Sequence, residues 1–125
     1  KKPLEQLRRE LLSLRGIGPE TADSILLYAG RRPVFVIDAY TLRLVRRMGW
    51  LEKVDYGAAQ AFFIRSLPRS ERLYNEYHAL IVELAKKHCA KNLPSCGSCP
   101  LRRGCAKKGV SHENLDSCRK TAGRR

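Results

Sequence analysis

The chain has 125 residues, enough for one compact domain or a small domain with a tail. Hydrophobic residues make up 43% and aromatic residues 7%, so the core must be mainly aliphatic. Lys and Arg number 25 against 12 for Asp and Glu, and the net charge of +13 indicates a polyanionic partner, either nucleic acid or an acidic membrane face.

The sequence carries neither a membrane span nor a signal peptide. No apolar run approaches the roughly 20 residues that a span requires, and no charged-then-apolar leader opens the chain. We therefore expect an intracellular protein with no membrane partner. Because the chain starts at Lys1 and its only methionine is Met48, we also expect a piece of a longer chain.

Two short helices joined by a tight turn are predicted at the start of the chain. Leucines recur at helical spacing over 4–14, and the pattern stops at Arg15-Gly16-Ile17-Gly18. Pro19 suits the first position of a new helix. Residues 3–30 thus predict a helix, a hairpin turn and a second helix.

Three further helices are predicted after a buried connecting segment. Val34–Ile37 is a continuous apolar run, which we expect to be extended and buried. Asp38 opens the next helix and Asp55 is expected to cap the one after it. A longer helix runs to about Lys87, with Leu80 on its inner face. With no convincing sheet, the predicted fold class is all-α.

Four cysteines are the strongest chemical signal, with gaps of six, two and five residues: Cys89, Cys96, Cys99 and Cys105. Four thiolates on a short, loop-rich stretch can surround one soft metal centre. Structural zinc is the main competitor, although it more often uses two close cysteine pairs, and unconnected thiols are a further alternative. We divide the chain into a helical region (1–88), a cysteine loop (89–105) and a basic tail (106–125), in which Cys118 is expected to be a free thiol.

Two other motifs have a functional and a purely structural interpretation. The glycines of Gly16-Ile17-Gly18 allow a tight turn whose backbone N–H groups can bind a phosphate, although a plain helix–helix turn explains them equally well. Asp38, between a buried run and a helix, is most simply an N-cap. A capping carboxylate is also held rigidly at the mouth of any cleft that the helix faces.

Together these motifs resemble one family. The hairpin over Leu14–Ala22, the run Val36-Ile37-Asp38 and the C-x6-C-x2-C-x5-C array strongly resemble the endonuclease III superfamily, the helix-hairpin-helix DNA glycosylases with an iron–sulfur cluster. The resemblance covers about 1–105 and matches only the C-terminal part of the family. The helices that normally precede the hairpin are therefore expected as a further partner from the same protein.

The resemblance implies roles for particular residues. Asp38 matches the catalytic aspartate. Tyr40, two residues further on, is a candidate for the base pocket, although a half-buried tyrosine that packs the helix start explains it equally well. The cysteines would bind a [4Fe–4S] cluster: Cys89, Cys96, Cys99 and Cys105. The DNA backbone would be bound by the hairpin and by the cysteine loop: Arg15, Gly16, Ile17, Gly18 and Lys91.

One departure from the family bears on the reaction. Strand-cutting members have a lysine two residues after the second hairpin glycine, whose amine forms a Schiff base with the sugar. This chain has Glu20 there, and a carboxylate cannot be that nucleophile. The resemblance therefore implies a monofunctional glycosylase.

The expected function is base-excision repair of double-stranded DNA that contains a damaged or mismatched base. The run Tyr74–Leu80 and the hairpin look most like the 3-methyladenine glycosylases of the superfamily, so an alkylated purine is the favoured substrate. The alternatives are a thymine/uracil mismatch glycosylase, a bifunctional glycosylase/AP lyase and a non-catalytic DNA-binding iron–sulfur module. The expected location is the nucleoid-associated cytoplasm of a prokaryote.

Overall fold

The computed structural model describes residues 2–111 and contains five α-helices, with no strand among those residues. The helices are α1 (Leu4–Leu12), α2 (Pro19–Ser24), α3 (Ala39–Met48), α4 (Tyr56–Ser66) and α5 (Glu71–Lys87). A π-helical turn (Ile25–Ala29) extends α2, and a 3-10 turn (Cys96–Ser98) lies in the cysteine loop. The all-α prediction is confirmed for this range, while Cys118 and tail residues 112–125 lie outside the described part.

The predicted helix starts are confirmed. A carboxylate oxygen of Asp38 accepts a hydrogen bond of 2.8 Å from the backbone N–H of Thr41, at the start of α3. Asp55 does the same for the N–H of Ala58, also at 2.8 Å, at the start of α4. Pro19 occupies the first turn of α2, where no intrahelical N–H is needed.

The connecting segment 34–37 runs through the core, as expected. All four of its side chains are buried, and the ring of Phe35 stacks on that of Phe63 with centroids 4.3 Å apart. The ring of Tyr74, from α5, packs edge-on against the ring of Phe35. Burying each such side chain stabilises the fold by roughly 1.5–3 kcal/mol, so this segment is a firm base for the residue that follows it, Asp38.

One expectation about the leucines is wrong: Leu80 is 64% exposed rather than on the inner face of α5. Leu14, the last residue of the first leucine pattern, lies beyond the end of α1 and is exposed. Leu80 lines an open groove of about 410 Å³ together with Trp50 and Leu101. Helical spacing identified the correct face of α5, but the neighbouring elements cover only part of that face.

Among residues 2–111, no helix combines the length and the apolar character needed to cross a membrane.

Candidate active site and cysteine cavity

The Asp38 carboxylate is held on both oxygens by neighbouring side chains. Oδ1 accepts hydrogen bonds from the backbone N–H and the hydroxyl of Thr41, each 2.8 Å long. Oδ2 lies 2.8 Å from Nε2 of His78, which projects from α5. A carboxylate offers about four acceptor positions, so these contacts take three and leave one on Oδ2.

This arrangement stabilises the ionised form of Asp38. The Asp38 side chain is 13% exposed. Burial on its own raises the pKa of Asp38, but the hydrogen bonds from His78 and Thr41 lower it by more, and the net pKa lies below the usual range. Asp38 is therefore a fixed negative charge at neutral pH, at the surface end of the buried segment 34–37.

His78 has a second partner on the other side of its ring. The hydroxyl of Tyr28 lies 2.8 Å from Nδ1 of His78. Tyr28 belongs to the π-helical turn after α2, where the backbone N–H of Gly30 bonds to the carbonyl of Ile25 instead of closing an α-helical turn. Three separate parts of the fold thus meet at one line of hydrogen bonds: the π turn, α5 and the start of α3.

Sequence reasoning missed these partners of Asp38. Thr41 had a usable signal, because it stands at the third helical position, where the capped N–H is found. Tyr28 and His78 had none, since they are 50 residues apart and 40 residues separate His78 from Asp38.

Tyr40, the candidate base-pocket residue, is half-buried against the core. The guanidinium of Arg43 lies over its ring, 5.2 Å from the centroid. One face of the ring is therefore already in contact with a cation of the chain.

The hairpin residues are accessible to a large partner. Arg15, Gly16 and Gly18 are exposed, and Ile17 is half-buried. Gly16 has a φ of +87°, a left-handed backbone conformation that residues other than glycine rarely adopt. Glu20 is exposed in the first turn of α2.

A buried carboxylate behind the hairpin fixes α2 to its neighbours. Asp23 is completely buried and pairs with Arg8 of α1 at 2.8 Å. It also accepts hydrogen bonds from Tyr56 (2.6 Å) and Gln60 (2.8 Å) at α4. Burial and the hydrogen bond to Asp23 raise the pKa of the Tyr56 hydroxyl, so Tyr56 remains a donor. Asp23 thus fixes α2, the second helix of the hairpin, to α1 and α4.

The four clustered cysteines line one small cavity. Its volume is about 30 Å³, and its wall also contains apolar side chains from α3 and α5 and three cationic residues, Arg47, Arg102 and Lys107. Cys89 follows the C-terminal end of α5, and the N–H of Cys89 bonds to the carbonyl of Leu84. All four residues that the sequence spacing had grouped thus line the same cavity.

Arg47 connects this cavity to α3, and sequence reasoning missed it. The side chain is buried, and one guanidinium nitrogen lies 3.3 Å from Sγ of Cys89. The guanidinium also donates to the carbonyls of Ala90 (2.7 Å) and Lys91 (3.0 Å). Arg43, one turn earlier, donates to the carbonyl of Cys89 at 2.9 Å. Two arginines of α3 thus hold the start of the cysteine loop.

Four cysteine thiolates match the ligand number of an iron–sulfur cluster and also that of a structural zinc site. Within residues 2–111, no group of three or more His, Cys, Asp or Glu side chains is arranged to hold a single metal ion. Burial raises the pKa of the Cys99 thiol, and the neighbouring Cys89 and Cys105 add to the effect. Arg102, which also lines the cavity, acts in the opposite direction on the pKa of Cys99.

A basic pocket lies beside the cysteine loop. Its volume is about 320 Å³, and Ala39, the first residue of α3, forms part of its wall. Five cationic residues line it: Arg43, Arg46, Arg47, Lys91 and Lys108. Lys91, the predicted DNA contact of the loop, is thus close to the helix that begins at Asp38.

The chain is similar to DNA repair enzymes. A protein of Methanocaldococcus jannaschii named "Putative DNA repair glycosylase" is 50% identical over 103 residues, which cover 82% of this chain and 46% of that protein. Endonuclease III of Sulfolobus acidocaldarius is 33% identical over 101 residues, covering 81% of this chain and 45% of the relative.

A third relative is the thymine/uracil-DNA glycosylase of Pyrobaculum aerophilum. It is 30% identical over 99 residues, which cover 75% of this chain and 43% of that protein. The chain spans about half the length of the curated relatives that it matches. No family model matches the chain.

Proposed function

Because the chain belongs to the endonuclease III superfamily, we propose that it is part of a DNA glycosylase of base-excision repair. The enzyme hydrolyses the N-glycosidic bond of a damaged or mismatched base in double-stranded DNA. The observation that carries this proposal is Asp38, an ionised and firmly held carboxylate with one acceptor position left.

Asp38 acts mainly by stabilising positive charge. A base that leaves its sugar creates an oxocarbenium-like centre, and a fixed carboxylate lowers the energy of that state. A general base works best with a pKa near the working pH, whereas the pKa of Asp38 lies below its usual range. We therefore assign Asp38 charge stabilisation and orientation of the attacking water, through the acceptor position left on Oδ2.

The hairpin and the basic pocket bind the DNA backbone. The enzyme must rotate the damaged nucleotide out of the helix, and the distorted backbone has to be held meanwhile. Exposure of Arg15, Gly16 and Gly18, and the position of Lys91 beside four other cations, support this assignment. Ile17, which is half-buried, supports the turn from inside.

The four cysteines hold a [4Fe–4S] cluster in this proposal. When bound, the cluster supplies the positive charge that their thiolates need and fixes the loop 89–105. Arg47 and Arg43 hold the start of that loop on α3, which keeps Lys91 beside the basic pocket. Hydrolysis of the glycosidic bond transfers no electron, so the role of the cysteine loop is to hold structure and DNA.

The reaction is monofunctional, and an alkylated purine is the favoured substrate. Glu20 stands where a strand-cutting member would carry its lysine, and its carboxylate cannot form a Schiff base. Purines alkylated on the ring are cationic and leave easily, so a held negative charge such as Asp38 suits them. Tyr40 can meet such a base only with the ring face that Arg43 leaves open.

A mismatch glycosylase that acts on thymine or uracil is the second candidate. It is favoured by the similarity to the thymine/uracil-DNA glycosylase of Pyrobaculum aerophilum. Such an enzyme would use Asp38 in the same way, and with Glu20 at the lysine position it would also be unable to form a Schiff base. The two candidates therefore differ only in the base pocket.

Base release from a panel of defined duplexes tests the proposal. The panel contains 3-methyladenine, uracil or thymine opposite guanine, and an oxidised pyrimidine, with an undamaged duplex as control. We expect strand breaks at the 3-methyladenine site only after alkaline treatment, and no trapping of the DNA by borohydride. Release from the mismatched duplexes instead would support the second candidate.

Two outcomes would contradict the proposal. Breaks without alkali, together with borohydride trapping, would establish a lyase and overturn the assignment of Glu20. Tight binding to all damaged duplexes without base release would favour a DNA-binding module with no catalytic role for Asp38.

A further inference from the structure

Tyr28, His78 and Asp38 form a continuous line of hydrogen bonds. The Tyr28 hydroxyl is 2.8 Å from Nδ1 of His78, and Nε2 of His78 is 2.8 Å from Oδ2 of Asp38. Asp38 and His78 are largely covered, with side-chain exposures of 13% and 15%. Tyr28 is 47% exposed, so the line runs from the surface to the carboxylate.

The chemistry of these groups determines where the protons lie. An ionised carboxylate only accepts hydrogen bonds, so the Nε2 atom that faces Asp38 must carry a hydrogen. The other ring nitrogen, Nδ1, meets a hydroxyl that can donate or accept. Tyr28 donates to Nδ1 when the imidazole is neutral and accepts from it when the imidazole is charged. In both states the Nε2–H bond to Asp38 is kept.

We propose that His78, held by Tyr28, is a positioning residue that sets the orientation of the Asp38 carboxylate. The proposal rests on the function proposed above and adds two residues to its machinery. Thr41 bonds only Oδ1, and two hydrogen bonds to a single oxygen leave the carboxylate some freedom to turn about its Cβ–Cγ bond. The bond from His78 to Oδ2 removes this freedom. The remaining acceptor position of Oδ2 is therefore held in one orientation, in which it can bind the attacking water.

The alternative is that Tyr28 and His78 only clasp α5 to the π turn. In that case any side chain that fills the space would serve at position 78, and no donor toward Asp38 would be needed. His78→Gln and His78→Leu separate the two roles. The amide nitrogen of Gln can donate to Oδ2, while Leu fills space without donating. Glu76→Gln, an exposed change on the same helix, is the matched control.

The first measurement is the tautomer of His78, by nitrogen-15 NMR of the histidine-labelled full chain. We expect a protonated Nε2 and, in the neutral ring, an unprotonated Nδ1 that accepts a hydrogen bond. Tyr28→Phe should reduce the hydrogen-bonding shift of Nδ1 and leave Nε2 protonated, because Asp38 still accepts from it. A neutral His78 protonated on Nδ1 would overturn the proposal without any activity assay.

The second measurement is the rate of base release under single-turnover conditions, on the duplex that responds best. His78→Leu should lower the rate by about 10- to 100-fold, the value of one hydrogen bond to a charged group, with DNA affinity unchanged. His78→Gln should recover most of the rate, and Glu76→Gln should match the wild type. Equal rates in the Leu and Gln variants would leave only the clasp and overturn the proposal.

Failure of the proposed function can be told apart from failure of this inference. If the wild-type protein releases no base from any duplex, the proposed function fails. The pairing is then judged from the tautomer and from the carbon-13 shift of the Asp38 carboxyl in His78→Leu and His78→Gln. We expect the shift to change in the Leu variant and to stay near the wild-type value in the Gln variant. An unchanged shift in His78→Leu would reject the pairing.

Discussion

The surroundings of the two ends of α3 shift the pKa of an acidic side chain in opposite directions. At the N-terminal end, hydrogen bonds from His78 and Thr41 outweigh burial, and the pKa of Asp38 is lowered. At the C-terminal end, Arg47 reaches Cys89, yet burial and the neighbouring thiols raise the pKa of Cys99. A single ten-residue helix therefore connects a carboxylate whose pKa is lowered with a thiol whose pKa is raised.

The difference shows how much of each site the chain itself provides. Asp38 accepts hydrogen bonds from Thr41 and His78, and these donors of the chain are enough to keep it ionised without a bound metal or cofactor. The cysteines line one cavity together with Arg47, Arg102 and Lys107, and four thiolates there would still repel one another. A bound cationic centre would resolve that repulsion, as the proposed cluster does.

Asp38→Asn should have the largest effect. Asn caps helices as well as Asp does, so α3 should remain folded, but the negative charge is lost. We expect the single-turnover rate of base release to fall by about 10²- to 10³-fold, the usual loss when one group that stabilises transition-state charge is removed. DNA affinity, measured by fluorescence anisotropy, should be unchanged or slightly higher. A variant with the wild-type rate would remove Asp38 from the mechanism.

Cys99→Ala should impair iron binding at the cysteine cavity, beside the C-terminal end of α3, and leave the Asp38 site unchanged. Protein purified without oxygen should contain about four iron atoms per chain, and the variant should lose most of this iron. Cys118→Ala, which changes the cysteine outside the array, is the control and should keep it. Iron analysis and the visible absorption spectrum report the result. Equal iron content in both variants would contradict the ligand assignment.

Arg47→Met should lower stability by about 2–4 kcal/mol, because it leaves the carbonyls of Ala90 and Lys91 without their buried donor. The free energy of unfolding in urea, followed by circular dichroism, measures the loss. Arg46→Met is the matched control, since Arg46 is the exposed neighbour on the same helix, and should change stability by less than about 0.5 kcal/mol. Similar losses in both variants would show that Arg47 has no special role.

Thr41→Val should have the smallest effect, about 1 kcal/mol at neutral pH, because the backbone N–H still bonds to Asp38. The pKa of Asp38 is lower in the folded chain than its unfolded value of about 3.9. The stability that Asp38 adds is therefore present above pH 4 and lost as pH falls through the folded pKa. In Thr41→Val this acid-dependent loss should be smaller. Urea unfolding at pH 7 and pH 3 compares the two proteins, and an equal pH dependence would contradict the contribution of the Thr41 hydroxyl.

Several features of this protein could be derived from short stretches of sequence. The caps at Asp38 and Asp55 and the proline start of α2 are confirmed because each depends on contacts within three or four residues. The grouping of the cysteines also follows from close spacing, since a short loop can bring its own residues together. The role of Asp38 as a cap could be predicted for the same reason, whereas its catalytic role remains a proposal.

Tertiary structure alone decided which faces are covered and which distant side chains meet. Leu80 has the spacing of a core residue but lies at an open groove, because neighbouring helices cover only part of α5. The same packing brings Tyr28 and His78 to Asp38, and Arg47 to Cys89, across 40 to 50 residues of chain. Local sequence determines backbone geometry over a few residues, whereas such pairs exist only after the helices have packed against one another.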